Sequence, residues 1–198
     1  EHVVLQLSST GQVLSQIPTS GLPSSVEYSE ANESLYISEH ISKEYVAQVE
    51  LESGIIKRKI SSSSRDLYGS YLPQSDEIAF LSNRDETWSI WKSGRMGSVN
   101  LTKGLGDTSV PSVSNAGNKI LTRIQKDSGE HALYILDLET KSTKSIDLGH
   151  LEPNFMSFSY NDTGIIFSAV DEEKFGLFYY DLTTSDMLRL TASGEIYA

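Results

Sequence analysis

Short apolar runs, some alternating and some continuous, recur along the chain between clusters of Gly, Ser, Thr, Asp and Asn. The clearest cycle reads Ile78-Ala79-Phe80-Leu81-Ser82-Asn83-Arg84-Asp85, then Trp88-Ser89-Ile90-Trp91, then Asn100-Leu101-Thr102. Counterparts of its first run begin at Leu35, Ile120 and Ile165, in steps of 43, 42 and 45 residues. A second landmark, the end of the following run, falls at Leu7, Val49, Trp91, Leu136 and Tyr180, in steps of 42, 42, 45 and 44. A third falls at Ile17, Ile60, Leu101, Ile146 and Leu190, in steps of 43, 41, 45 and 44. Three landmarks sharing one period predict a repeated supersecondary unit, and the period-2 alternation makes its elements strands.

A further strand precedes the first landmark, near Ser25–Tyr28, Gly69–Leu72, Ser112–Val113 and Asn154–Phe158. Turn-forming clusters join it onward: Glu30-Ala31-Asn32-Glu33, Gln74-Ser75-Asp76-Glu77, Asn115-Ala116-Gly117-Asn118 and Asn161-Asp162-Thr163-Gly164. Such residues punctuate hairpins because Gly tolerates positive φ and Asn, Asp and Ser bond their own backbone. Each unit therefore has four antiparallel strands, a to d, of which b and c are the most apolar. No stretch sustains a period of 3.6 residues, so the chain should be all-β with almost no helix. A period of about 40–45 residues built of four short strands predicts a β-propeller.

The units fall at about 1–20 (strands c and d only), 24–62, 68–104, 111–148 and 153–192. That is four complete blades and a leading half blade in one propeller domain. The expected arrangement is a segment of a larger propeller, whose open blade edges are candidate homodimer contacts.

Composition narrows the function. The formal net charge of −11, from 16 basic and 27 acidic side chains, argues against nucleic acid, which requires clustered Lys and Arg. The one dense basic group, Lys57-Arg58-Lys59, reads as the solvent face of a strand. No apolar run approaches the roughly 20 residues that span a bilayer, so this segment predicts no membrane insertion. Glu1-His2-Val3-Val4 does not resemble the start of a signal peptide. With no cysteine, disulfides, thiol nucleophiles and thiolate metal sites are excluded.

The cycle from Ser75 to Thr102 resembles the repeat of TolB-like propellers. That repeat reads approximately Ser-Pro-Asp-Gly, Ile-Ala-Phe, Ser-Asn-Arg, an aromatic strand and a terminal Leu-Thr. Asn161–Ser168 and Leu190-Thr191 match more loosely, and the copies at Leu35 and Ile120 lose Ser-Asn-Arg, so the resemblance covers roughly residues 24 to 192. Similar repeats occur in the Tol-system periplasmic protein, in the gating propeller of prolyl-oligopeptidase-type peptidases and in the sensor domains of ToxR/CadC-like membrane-anchored winged-helix regulators. The resemblance implies a rigid, extracytoplasmic platform that presents loops to a protein partner or a small ligand. A periplasmic sensor domain of a membrane-anchored transcriptional regulator is the reading taken. The accessory propeller of a prolyl-oligopeptidase-type enzyme, or a Tol-like interaction module of the bacterial envelope, is the alternative.

No catalytic constellation emerges. Gly-x-Ser-x-Gly and His-Glu-x-x-His are both absent, and His2, His40, His131 and His150 fall at non-equivalent places in the repeat. The expectation is a non-enzymatic module with no cofactor and no metal. Gly104-Leu105-Gly106 lacks the following helix of a phosphate loop and reads as an inter-blade connection. Asp171-Glu172-Glu173 could hold calcium with help from carbonyls, but three acidic residues in a solvated hairpin need no ligand, and that is the reading taken. Asn32-Glu33-Ser34, Asn100-Leu101-Thr102 and Asn161-Asp162-Thr163 match a glycosylation acceptor but read as turn chemistry.

Trp88 and Trp91 are expected to face opposite sides of a strand as core packing. Arg84 is expected to pair with Asp85 or with a carboxylate of a neighbouring blade. The candidate partner-binding residues sit in the inter-blade loops: Asp66, Asp107, His150, Glu152 and Asn154.

Overall fold

The structure, a computed structural model, describes residues 2–19, 22–31, 33–40, 44–62, 64–73, 75–126 and 128–191. The expected turn positions Asn32 and Gln74, and the closing Gly194–Ala198, lie outside the described residues. Every regular element among the described residues is a strand. β1 (His2–Leu7) and β2 (Val13–Thr19) form a hairpin. β3 (Leu22–Ser29), β4 (Ser34–His40), β5 (Glu44–Glu50) and β6 (Ile56–Ile60) form a first four-stranded sheet in chain order. β7 (Asp66–Tyr71), β8 (Ile78–Ser82), β9 (Ser89–Gly94) and β10 (Gly97–Asn100) form a second. The third holds β11 (Asp107–Thr108), β12 (Ser112–Val113), β13 (Lys119–Gln125), β14 (His131–Asp137) and β15 (Thr143–Ile146). β16 (Pro153–Phe158), β17 (Gly164–Asp171), β18 (Lys174–Asp181) and β19 (Met187–Arg189) complete a fourth. All pairings are antiparallel between sequence neighbours, apart from the doubled first strand of the third sheet.

That strand is longer than the sequence suggested. Both β11 and β12 pair with β13, and the chain between them carries Pro111, which has no N–H to give a ladder. Ser109 bridges the gap by donating its N–H to the Arg123 carbonyl at 2.8 Å.

The landmark at Trp91 also moves. In the first, third and fourth sheets, Leu35, Ile120 and Ile165 stand opposite Val49, Leu136 and Tyr180. In the second sheet Ile78 stands opposite Ser93, whereas Trp91 faces Phe80. Ser93 is therefore the register equivalent, and the steps become 42, 44, 43 and 44. The aromatic residue is the more conspicuous of the two, but pleat and pairing set the position.

Three residues before each of these c-strand positions lies a second recurring set: Val4, Val46, Ile90, Leu133 and Leu177. Val4, Val46 and Leu133 pair with Ile17, Ile60 and Ile146 of strand d, and the Leu101 and Leu190 N–H groups bond the Ile90 and Leu177 carbonyls. Val46, Ile90 and Leu133 are 0, 0 and 1% exposed, whereas Leu177 is 36% exposed.

The described chain forms two compact units, Glu1–Tyr71 with Asp76–Leu101, and Leu72–Ser75 with Thr102–Ala198. In the first unit, Ile17, Leu35, Ile37 and Val49 make one core with Val4 against it. A second joins Tyr36, Val46 and Ile60 to Ile78, Phe80 and Trp91. In the second unit, Leu121, Leu133 and Ile146 pack against Ile165, Phe167 and Phe178. Burying one such side chain contributes roughly 1.5–3 kcal/mol, so these sheet-on-sheet faces are a principal source of stability. In the outer strand β6, Lys57, Arg58 and Lys59 are exposed, with Arg58 over the Tyr45 ring at 4.3 Å.

Turns tie neighbouring sheets in the second unit as well. The Asp162 carboxylate accepts the N–H groups of Asn115 and Ala116 and the Asn115 amide, each at 2.8 Å. Asn161 Oδ1 accepts from Ser159 and Thr163 within its own turn, whereas Asn100, at the end of β10, donates to Asp85 15 residues away.

Candidate functional site

Two sites with chemistry emerge, one in each unit. In the second sheet, Asp66 opens β7 and is wholly buried. Its Oδ1 accepts from Ser82 Oγ and from Arg84 Nη2, both at 2.7 Å. Arg84 also lies over the Phe80 and Trp91 rings at 5.0 and 4.9 Å. The sequence pointed Arg84 toward Asp85 or another blade. Its partner is instead Asp66 of the same sheet, because the a–b pairing sets Asp66 opposite Ser82, two residues before Arg84. Asp66, expected on a partner-facing loop, thus serves the interior of its sheet. Trp88 precedes β9 instead of lying in it, half-buried under Arg65, while Trp91 packs into the core.

The same device recurs in the fourth sheet on other residues. Phe167 and Phe178, register equivalents of Phe80 and Trp91, stack with centroids 5.5 Å apart. Arg189 lies over Phe178 and bonds Asp171 at 3.2 Å. In each case a guanidinium lies over an aromatic ring of the cross-strand pair, both rings for Arg84 and Phe178 alone for Arg189, and a carboxylate fixes the guanidinium.

The second site is a cavity of about 340 Å³ in the second unit. Strand β14 starts it with His131, Leu133 and Tyr134, and β15 adds Ser145. The segment after β15 closes it with Leu148, Leu151 and Pro153, while Lys126 and Glu130 of the β13–β14 hairpin form its charged rim. The ion pair between them, 3.1 Å long, holds the Lys126 ammonium above its ordinary range, chiefly through the hydrogen bond to Glu130. Leu133, Leu148 and Leu151 belong to the buried core behind it, and the surface that the cavity exposes is more polar than apolar. His131 Nδ1 is buried and has no hydrogen-bond partner among the described residues. A buried ring nitrogen left unpaired is costly to the fold.

The expected loop residues lie around this cavity in an alternating way. His150, Glu152 and Asn154 are exposed, and the residues between them, Leu151 and Pro153, turn inward and are buried. His150 is 76% exposed, with Nε2 2.8 Å from Asp171. Asp107 is exposed at the start of β11, opposite Gln125 and so next to the Lys126 rim. The structure thus groups Asp107, His150, Glu152 and Asn154 in the second unit, and Asp66 lies in the first. Sequence reasoning missed His131 as a lining residue. The available signal was its place as the first residue of a c strand, directly after a b–c hairpin.

Asp171-Glu172-Glu173 makes a tight hairpin with Glu172 and Glu173 at positive φ, and Asp171 is engaged by His150 and Arg189. No group of three His, Cys, Asp or Glu among the described residues is placed to hold a metal ion. Gly104 and Gly106, at φ +77° and +113°, shape the connection into β11.

No protein-family model matches the chain, and no curated protein matches it by sequence. Solved structures do. TolB from Acinetobacter baumannii superposes with a TM-score of 0.75 at 18% identity, over 94% of this chain and 47% of that one. A putative TolB from Agrobacterium tumefaciens gives 0.77 at 15% identity, over 96% and 73%. The chain has a β-propeller fold. Its structural neighbours are TolB-like propellers, and it spans about half the length of the Acinetobacter protein. A puromycin-hydrolyzing peptidase of Mycobacterium tuberculosis also matches, with a TM-score of 0.70 at 13% identity, over 88% of this chain and 29% of that one.

Proposed function

We propose that the chain is a non-catalytic recognition module whose binding site is the cavity at His131 and the loop surface around it. The observation that carries this is a concave, mainly polar lining that brings His131, Tyr134 and Ser145 together beside the Lys126–Glu130 pair. A small polar ligand with several hydrogen-bonding groups fits that lining. His150, Glu152, Asn154 and Asp107 form the surrounding surface, where a protein partner would meet the module. The setting we favour is the periplasmic sensor domain of a membrane-anchored transcriptional regulator, which the TolB-like neighbours and the acidic, cysteine-free composition support.

The test is ligand-detected NMR with a library of small polar amides, alcohols and acids, read together with the His131 imidazole resonances. Binders that shift those resonances and are lost in His131→Phe support the reading. A library with no binder, or binders indifferent to His131→Phe, would overturn the cavity as the site. The setting is tested separately, by whether the natural polypeptide carries a winged helix and a membrane span.

The likeness to the mycobacterial peptidase favours a second reading, the accessory propeller of a prolyl-oligopeptidase-type enzyme. A hydrolase domain with a Gly-x-Ser-x-Gly elbow on the same polypeptide would decide for it.

A further inference from the structure

Strand β6 holds the densest positive charge in the chain. Lys57, Arg58 and Lys59 follow one another, all exposed, in a molecule of net charge −11. Lys57 pairs with Glu50 of β5. Neither Arg58 nor Lys59 enters an ion pair among the described residues, and Arg58 lies instead over the Tyr45 ring. β6 is also the outermost strand of the first sheet: β5 takes one edge, and no strand of the sheet takes the other. Such an edge presents a row of unpaired N–H and C=O groups. In this unit Tyr36, Val46 and Ile60 pack face to face on Ile78 and Phe80 of the next sheet. A further sheet stacked in the same way would cover a face and leave this edge open.

Charge on an outermost strand commonly keeps it from pairing at all. That need applies to every sheet, yet β2 and β10 carry no charged residue. β15 has Lys144 alone, and β19 has Arg189, which Asp171 engages. The concentration on β6 is thus particular to one edge. Charge also selects, because opposite charges on paired strands attract and like charges repel, while a neutral strand strips the cations of water for no return. The strand that these three cations admit is an acidic one. We propose that the β6 edge docks an extended acidic peptide segment of a protein partner, which joins the first sheet as a fifth strand. Backbone hydrogen bonds hold the segment, and its carboxylates meet Arg58 and Lys59. The β5–β6 register slips between Val46 and Ala47, with Lys59 the residue left over. A bulge interrupts the ladder there, so the added strand runs along Ile56 to Arg58 and Lys59 meets its end. This edge belongs to the first unit, and its role is independent of the cavity in the second.

Fluorescence anisotropy reads the contact, with a short labelled peptide of alternating Glu and Val titrated with the 198-residue chain at low ionic strength, where exposed charges are least screened. Saturable binding is expected, with slower exchange of the β6 amides in the complex. Arg58→Glu with Lys59→Glu should weaken it roughly tenfold or more. Lys103→Glu with Lys174→Glu, which change the net charge equally at exposed sites elsewhere, should leave it within about twofold. Should the first pair of changes disturb the circular-dichroism spectrum, Arg58→Gln with Lys59→Gln replaces it. Two altered peptides should fail to bind: one with Gln in place of Glu, which lacks the charge, and one N-methylated at alternate backbone amides, which lacks the donors. No binding of the Glu-Val peptide overturns the proposal, as does binding that survives the charge reversal or the N-methylation. Preference for vesicles of anionic phospholipid or for single-stranded DNA over the peptide also overturns it, and would make β6 a lipid or nucleic-acid contact.

Discussion

Leu133 and Leu177 hold the same register position in successive sheets, and the first is buried against its neighbour while the second faces water. Identical chemistry therefore carries different energetic weight at the two sites. In dilute protein, Leu133→Ala should cost about 2–5 kcal/mol of unfolding free energy, and Leu177→Ala no more than about 1 kcal/mol. Urea denaturation of the two variants measures this directly. Equal losses would mean that the register equivalence does not govern burial.

Asp66 and Arg84 form an ion pair whose carboxylate is wholly buried. Removing one partner strands the other, so Asp66→Ala should cost about 3–5 kcal/mol. Replacing both, as Asp66→Leu with Arg84→Met, should recover most of that loss, because an apolar pair of similar volume needs no counter-charge. A double-mutant cycle reads the coupling. A double variant as unstable as the sum of the singles would show that the two residues act independently.

Glu27 is partly buried on β3, and Tyr71 donates its N–H to its carboxylate at 3.2 Å. Burial pushes its pKa from 4.5 to about 7, against smaller opposing effects from the Ser70 hydroxyl and the Tyr71 N–H. Between those values the folded state keeps a proton that the unfolded chain releases. Stability should therefore fall as pH rises from 4.5 to about 7 and level off above, by at most about 3 kcal/mol from this residue. Glu27→Gln should remove that slope and raise stability at pH 8, with little change at pH 4.5. Parallel pH profiles for wild type and variant would contradict this.

Gly106 has φ +113°, and a Cβ there would stand 2.2 Å from the Gln125 carbonyl oxygen. The neighbour is backbone and cannot swing aside. Gly106→Ala should destabilise by about 2–4 kcal/mol through strain and displacement of β11. Amide exchange should rise at Thr108 and Ser109 before it rises in β14. Uniform exchange throughout the third sheet would locate the damage elsewhere.

The period was legible because it is written in the b and c strands, which carry the recurring buried apolar positions of each sheet. β8, buried at all five positions, is the extreme case. The register of the second sheet was not legible, because the position equivalent to Val49 is Ser93 and a larger aromatic residue stands two places earlier. Arg84 was recognisable as structural, but its partner was not. Asp66 lies 18 residues away and is delivered by pairing across the a–b strands, a relationship with no local signature. The loops around 107 and 150 were located by their place in the repeat. His131 escaped notice because nothing in a residue type records that its ring nitrogen lacks a partner.

The alternation from Leu148 to Asn154 gives one short stretch two separate tasks. Changes at Leu151 or Pro153 would reshape the cavity wall without altering what a macromolecule touches. Changes at His150, Glu152 or Asn154 would redress the outer surface and leave the cavity intact. Under the function proposed above, ligand preference and partner preference would drift independently, residue by residue, within a single connection between two sheets.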